Sequence, residues 1–161
     1  QWNVGEGELR LKVGGGVDTR LGFLYNMRNS NNPAQAYGQV NIAPNAVAAY
    51  RFRLRNLPFQ LRYEVQVPLL GLTFSPNYGQ SYYEIFTRDN YDHNLVVTSP
   101  ISAPSLRQVL TLDFTVRHTT FRIGYLGDYQ QAKINQLRQH VWSNLLVLGI
   151  VRKFSINKFI P

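Results

Sequence analysis

Residues 39–71 read QVNIAPNAVAAYRFRLRNLPFQLRYEVQVPLLG and form the most regular stretch of the chain. Apolar and polar side chains alternate along two long runs, one on each side of Asn56-Leu57-Pro58. Because successive side chains of a strand point to opposite faces, this period of two predicts a β-hairpin. Strands of about 9 to 11 residues, apolar on one face and joined by tight turns, are typical of transmembrane β-barrels.

The same alternation recurs along the chain and predicts six strands in up-and-down order. They cover residues 8–28, 39–54, 59–71, 106–117, 121–129 and 139–154. Tight turns at 55–58 and 117–120 would lie at one end, and loops at 29–37, 74–105 and 130–137 at the other. The predicted fold is therefore an all-β, up-and-down antiparallel transmembrane β-barrel with a polar, Arg-rich interior and an apolar exterior. Residues 1–161 would form one domain, with 74–105 as a long external loop.

Six strands are fewer than the minimum of about eight in bacterial membrane barrels. Either the predicted loops hold two more strands, or further strands precede this chain. Gln1 stands in place of an initiator Met, and no charged-then-apolar leader follows it. We therefore expect a processed chain or a fragment that lacks upstream strands.

Composition excludes several classes of protein. With 44% hydrophobic and 16% charged residues the chain is not disordered, and no apolar run is long enough for a membrane helix. Without cysteine it has no disulfides and no thiolate metal site. The net charge of +8 comes largely from arginines that occur singly at alternating positions rather than in a patch, so nucleic acid is not an expected partner.

Charged side chains of the polar strand faces are predicted to fill the barrel interior as a network. Its expected members are Arg51, Arg53, Arg62, Glu64, Arg107, Asp113, Arg122 and Asp128. Arginine dominates this set, and its planar fork suits packed ion pairs. Paired carboxylates could also serve as a catalytic acid and base, but in a narrow lumen unpaired charge would be costly, which favours a satisfied ion-pair network.

Aromatic residues are expected to form two belts at the membrane interfaces. Phe52, Phe59, Phe121 and Phe154 would lie at the short-turn rim. Tyr25, Tyr129 and Trp142 would lie towards the other rim.

The long loop has the composition of a contact surface. Its candidate binding residues are Tyr78, Tyr82, Tyr83, Glu84, Phe86 and Tyr91. Aromatic area and a carboxylate suit a protein partner or a glycan, although the same aromatics could fold the loop down as a lid. His93, Asp92 and Asp89 could approach a cation, but isolated loop residues of this kind are usually solvated. No metal site and no cofactor are predicted.

A catalytic alternative rests on His140, Ser143 and Asn144 in the last strand. Barrels that hydrolyse membrane lipids resemble one another in placing a His and a Ser on the lipid-facing side of one strand. His140 and Ser143 have opposite parity, so in a regular strand they face opposite sides. Only a bulge would bring them together.

Residues 14–34 (GGGVDTRLGFLYNMRNSNNPA), 62–86 (RYEVQVPLLGLTFSPNYGQSYYEIF) and 124–154 (GYLGDYQQAKINQLRQHVWSNLLVLGIVRKF) resemble a family of exported Bacteroidetes proteins, a domain of unknown function. The resemblance covers nearly the whole chain. It implies that this chain is the carboxy-terminal portion, since the relatives carry further strand-like segments before the stretch that matches Gly14. The resemblance implies the compartment and the architecture of this chain, and it carries no activity over to it.

Three functions remain open at this point. The first is a non-enzymatic outer-membrane barrel with a structural, scaffold or accessory role. The second is a barrel enzyme that hydrolyses acyl chains of lipid A or phospholipid. The third is a soluble lipocalin-like carrier with its apolar face inward. The first predicts the bacterial outer membrane as the location and the lipid bilayer as a partner, with other outer-membrane proteins or a glycan as further candidates.

Overall fold

The computed structural model describes residues 2–25, 34–77, 79–135 and 137–152. Over these residues the chain is almost entirely β-structure. The strands are β1 Trp2–Val4, β2 Gly7–Tyr25, β3 Ala34–Leu54, β4 Leu57–Gln66, β5 Leu70–Phe74, β6 Leu95–Thr98, β7 Ser105–Val116, β8 Thr119–Ile134 and β9 Leu137–Arg152. The helix is α1, Tyr82–Thr87.

All pairings of the nine-stranded sheet are antiparallel, in the order β1-β2-β3-β4-β7-β8-β9. β5 continues β4 along β3, after a break at 67–69 where Val67 N and Leu69 N donate to Pro44 O and Ile42 O at 3.2 and 3.0 Å. β6 pairs with β5. The predicted antiparallel up-and-down arrangement is confirmed.

The three predicted loops differ from the structure. The prediction of a loop at 130–137 is wrong, because β8 and β9 pair without interruption as far as Ile134 and Leu137. Asn135, with a positive φ of 51°, makes the tight turn there. The segment 74–105 contains α1 and β6. The connection between β5 and β6 at the loop end is therefore 75–94, and it includes α1. Of the predicted loop at 29–37, residues 29–33 lie outside the described residues, and β3 already begins at Ala34.

The side chains of the two sheet faces are arranged in the opposite way to those of a water-soluble protein: the charged face is inside and the apolar face is outside. The face with the charged residues is the concave one, since Arg20 Nη1 on β2 lies 3.4 Å from Asp128 Oδ1 on β8, across the curl of the sheet. The apolar face is exposed, as Val13 at 88% and Leu146 at 71% illustrate. Among the described residues, the buried hydrophobic side chains are only Ala43, Ile85, Ala103 and Ile134. The interior is therefore held by polar side chains rather than by an apolar core.

The sheet is not closed into a barrel within the described part of the chain. β2 beyond Leu9 pairs with β3 alone, and β9 pairs with β8 alone. These two strands are the edges of the sheet. No helix among the described residues is long and apolar enough to cross a membrane.

Gly124 marks a position where β7 and β8 approach too closely for a side chain. A Cβ at this position would lie 2.7 Å from Thr111 Cγ2 and against the backbone oxygen of Leu110. We expect Gly124→Ala to destabilise the fold by about 1–3 kcal/mol, because the backbone has to shift. Thermal unfolding measures the effect.

Gly149→Ala is the matched control, because a Cβ there would meet Arg122 Cβ at 3.5 Å, an ordinary contact. Equal unfolding temperatures for the two variants would contradict the close approach at Gly124.

Candidate functional site

A row of stacked phenylalanines crosses the exposed face near the short turns. Phe52, Phe59, Phe114 and Phe121 occupy directly opposite positions on β3, β4, β7 and β8. Their ring centroids are separated by 5.5, 6.2 and 5.4 Å in turn. Three of these residues belong to the predicted belt, and Phe114 extends it. Phe154 lies outside the described residues.

A second aromatic group lies on the same face towards the loops. Tyr129 and Trp142 meet edge to face at 6.0 Å. The hydroxyls of Tyr125 and Tyr129 lie 2.6 Å apart, and both donate to Asn144 Oδ1, Tyr129 at 3.0 Å. On the far edge, Tyr25 is exposed at the end of β2. Each ring thus combines apolar area with a polar group, as residues at a membrane interface do.

Besides the Arg10–Glu8 pair on β2, three ion-pair groups of the described residues line the concave face. Arg122 donates to both carboxylate oxygens of Asp113 at 2.7 Å, a bidentate pair between neighbouring strands. Arg62 Nη2 donates to Glu64 Oε2 at 2.7 Å within β4. The third group is deeper and centres on a side chain of β2 that the alternation also places on the polar face.

Arg20 is the centre of that third group. Its Nε donates to Asp18 Oδ2 at 2.6 Å, and its Nη1 lies near Asp128. The side chains of Arg20 and Asp18 are each only 10% exposed. Gln130 Nε2 donates to Asp128 at 3.2 Å, and Asn41 Nδ2 to Asp18 at 3.5 Å. Alternation places Arg20 and Asp18 on the polar face, but their pairing with β8 depends on the curvature of the sheet.

The other predicted network members are less tightly held. Arg51 Nε donates to Gln60 Oε1 at 2.8 Å. Arg53 is exposed, near the short turns. Arg107 lines a cavity of about 320 Å³ with Glu64. The structure therefore brings together Arg62 with Glu64 and Arg122 with Asp113, and it places Asp128 beside Arg20.

The interior is open at the turn end and tight at the loop end. A cavity of about 860 Å³ opens near the short turns, lined by residues that include Arg51, Arg53 and Glu8. Towards the loops, cavities lined by Tyr37, Gln139 and their neighbours have volumes of only about 20 and 80 Å³. The larger cavity of the concave face is thus at the turn end.

The connection 75–94 is folded. Ser81 and Glu84 form a capping box at the start of α1: Glu84 N donates to Ser81 Oγ at 3.2 Å, and Ser81 N to Glu84 Oε2 at 2.9 Å. Ile85 is fully buried. Asn135 Nδ2 donates to Ser75 O and His93 O at 3.0 Å, which ties the connection to the β8–β9 turn. The capping-box spacing Ser-x-x-Glu is readable in the sequence and could have located this helix.

The candidate binding residues of the connection divide into two groups. Tyr82 and Phe86 stack at 6.2 Å, and Phe86 lies 6.2 Å from Phe74. The Tyr82 hydroxyl accepts from Ala36 N. Tyr82 and the helix-capping Glu84 hold the connection in place, whereas Phe86 makes its ring contacts while remaining 60% exposed. Tyr83 and Tyr91 are each 60% exposed, and Arg88 lies over the Tyr83 ring at 5.6 Å. Tyr78 lies outside the described residues.

We expect Ile85→Ala to loosen this connection while the strands still assemble, because it leaves a cavity beneath α1 and costs about 2–5 kcal/mol locally. Limited proteolysis between residues 75 and 94 measures the change. Tyr83→Ala removes an exposed ring from the same helix and should leave cleavage unchanged. If both variants resist protease like the parent chain, the buried Ile85 does not hold the connection.

The structure does not bring the candidate catalytic residues together. Pairing between β8 and β9 is unbroken, with His140 opposite Gln131 and Ser143 opposite Asp128. His140 is exposed on the outer face, whereas Ser143 belongs to the concave face. Asn144 accepts from the tyrosine hydroxyls and is occupied by them.

No group of three or more His, Asp or Glu residues that could hold a metal ion occurs in the part of the chain that the structure describes. His93 Nδ1 contacts Asp92 Oδ1 in a pair that is largely exposed.

A model of the family described as "Protein of unknown function (DUF3316)" matches residues 1–159. This confirms the expectation of a domain-of-unknown-function family. Comparison with curated proteins finds no match, and neither does comparison with solved structures.

Proposed function

The chain belongs to the DUF3316 family, whose description carries no activity, and from its own residues we propose an outer-membrane β-barrel protein. Its role would be structural, scaffolding or accessory, exercised through the loop end. The bilayer is the first partner of such a protein, and a protein or glycan outside the membrane is a candidate for the second.

The inside-out distribution of side chains carries this proposal. Leu146, Val13 and the other apolar side chains of the outer face remain exposed, while charged side chains such as Arg20 and Arg122 face inward and are paired. In water this would leave a large apolar surface uncovered. In a bilayer the same surface meets hydrocarbon, and the ion pairs stay out of it.

The spacing of the aromatic groups supports the same reading. Phe121 and Tyr129 lie eight residues apart on β8, which is about 26 Å of strand at roughly 3.3 Å per residue. A strand tilt of about 40° reduces this height to roughly 20 Å, comparable to the apolar band of about 25 Å in outer-membrane barrels. The two aromatic groups would then lie at the two interfaces.

The proposal requires both sheet edges to find partners, because open strand edges do not occur in hydrocarbon. In the up-and-down order β2 and β9 run antiparallel, so an even number of further strands fits between them. Since membrane barrels of this kind have at least about eight strands, we propose that strands outside this chain complete the wall.

Two features favour a structural role over transport or catalysis. The small cavities at the loop end and the ion pairs beside them favour a filled interior over an open pore. The placement of His140 and Ser143 on opposite faces of β9 does not support a lipid hydrolase. A soluble lipocalin-like carrier would turn its apolar face inward, and the exposure of that face argues against it.

Detergent dependence tests the proposal. The purified protein should stay dispersed only in detergent or lipid, and on gels the unheated protein should migrate differently from the heated one. A monodisperse, detergent-free protein that binds no vesicles would contradict the membrane assignment.

A further inference from the structure

Two cations face each other on the outer surface near the β8–β9 turn. Lys133 and Arg138 occupy directly opposite positions in the ladder and are both exposed. Like charges directly opposite each other destabilise a strand pair. Within the described residues neither side chain has a hydrogen bond or an ion pair, so the repulsion is not offset by a neighbouring carboxylate.

The residues below this pair follow an order of decreasing polarity along the same face. Gln131 and His140 come next, and then Tyr129 with Trp142, which is 65% exposed. Further down lie Tyr125 and Leu146. From the β8–β9 turn towards the middle of these two strands, the outer-face side chains are thus charged, then polar, then aromatic and finally apolar.

We propose that Lys133 and Arg138 bind the phosphate of a lipid head group. This inference rests on the proposed membrane function, because it takes Tyr129 and Trp142 as the interfacial belt. Lys133 lies four residues beyond Tyr129, about 13 Å along the strand. Long basic side chains can bend back along the strand and cover part of this distance towards the interface.

The chemistry of the pair fits a phosphate. The Arg138 guanidinium can bind two phosphate oxygens with its planar fork, and the Lys133 ammonium adds a point charge from the opposite strand. A phosphate between them would replace their repulsion with two attractions. The exposed Trp142 ring, which lies below the Gln131–His140 pair on the same face, would lie beside the acyl chains of the same lipid, which favours a lipid over a soluble phosphate.

Fluorescence quenching tests the site in vesicles. Trp2→Phe leaves Trp142 as the only tryptophan of the chain. Vesicles of phosphatidylcholine contain, at the same low mole fraction, either brominated phosphatidylcholine or brominated phosphatidic acid as quencher. We expect phosphatidic acid to be enriched at Trp142 by about fivefold for each cation.

The double variant Lys133→Gln with Arg138→Gln should lose this enrichment. Arg55→Gln with Arg117→Gln removes the same charge at the opposite end and should keep it. Equal quenching by the two brominated lipids overturns the phosphate site while leaving the membrane function intact. Enrichment that survives the Lys133/Arg138 change, or that inorganic phosphate abolishes, also overturns it. If neither lipid quenches Trp142, the membrane function and the site both fail.

Discussion

Leu146→Arg is expected to block assembly into the membrane. Leu146 is exposed on the apolar face, about midway between the rows of Phe121 and Tyr129, and it lies directly opposite Tyr125. An arginine at the bilayer midplane costs roughly 2–4 kcal/mol. Leu110→Arg, on the other side of Tyr125, should act in the same way. The fraction of heat-modifiable protein in the membrane measures both effects.

Leu54→Arg is the matched control. Leu54 is an exposed leucine of the same face, but it lies beyond the Phe52 row at a short turn. Near an interface the cost falls to about 0–1 kcal/mol, so this variant should assemble. If Leu54→Arg impairs assembly as much as Leu146→Arg does, depth in a bilayer is not the cause.

Orientation of the strands can be checked separately with cysteines at 61 and 62. Leu61 belongs to the apolar face and Arg62 to the concave one. A water-soluble thiol reagent should react with Cys at 62 more readily than with Cys at 61 in the assembled protein. The reverse pattern would place the apolar face inside.

Arg20→Met is expected to destabilise the fold by about 3–5 kcal/mol. The substitution leaves the carboxylates of Asp18 and Asp128 without their cation in a mostly buried position, and an uncompensated buried charge is costly. Unfolding in denaturant measures the loss. Arg10→Met provides a comparison, because the Arg10–Glu8 pair is more exposed and should contribute much less.

The charge explanation has its own test in a triple variant. Adding Asp18→Asn and Asp128→Asn to Arg20→Met removes the stranded charges and should recover most of the stability. If the triple variant is no more stable than Arg20→Met alone, the loss comes from missing packing of the arginine stem.

Alternation was sufficient to predict which face each strand residue occupies. Arg122 and Asp113 share the concave face, and Phe59 and Phe121 share the exposed one, because parity follows from regular strands. The loop at 130–137 was mispredicted because Gln130 and Gln131 are both polar, so the two faces cannot be told apart there. Pairing through a tight turn at Asn135 nevertheless extends the ladder.

The sequence pattern could not predict the curvature of the sheet. Whether Arg20 meets Asp128 depends on the twist accumulated over all the strands between them. The folded state of 75–94 depends on contacts such as those of Asn135, which join distant parts of the chain. For the same reason, the pattern could suggest a contact loop but could not separate the half-buried Tyr82 from the exposed Tyr83.

The order of the strands also has a kinetic consequence. Nearly every ladder joins a strand to the next one along the chain, and β4 and β7 meet around the β5–β6 hairpin. Such contacts close short loops first, so the sheet can grow by successive hairpins. The Arg20–Asp128 contact joins β2 and β8, which have three strands between them in the sheet, so we expect it to form after the ladders that connect them. Losing it should therefore accelerate unfolding while leaving the folding rate almost unchanged.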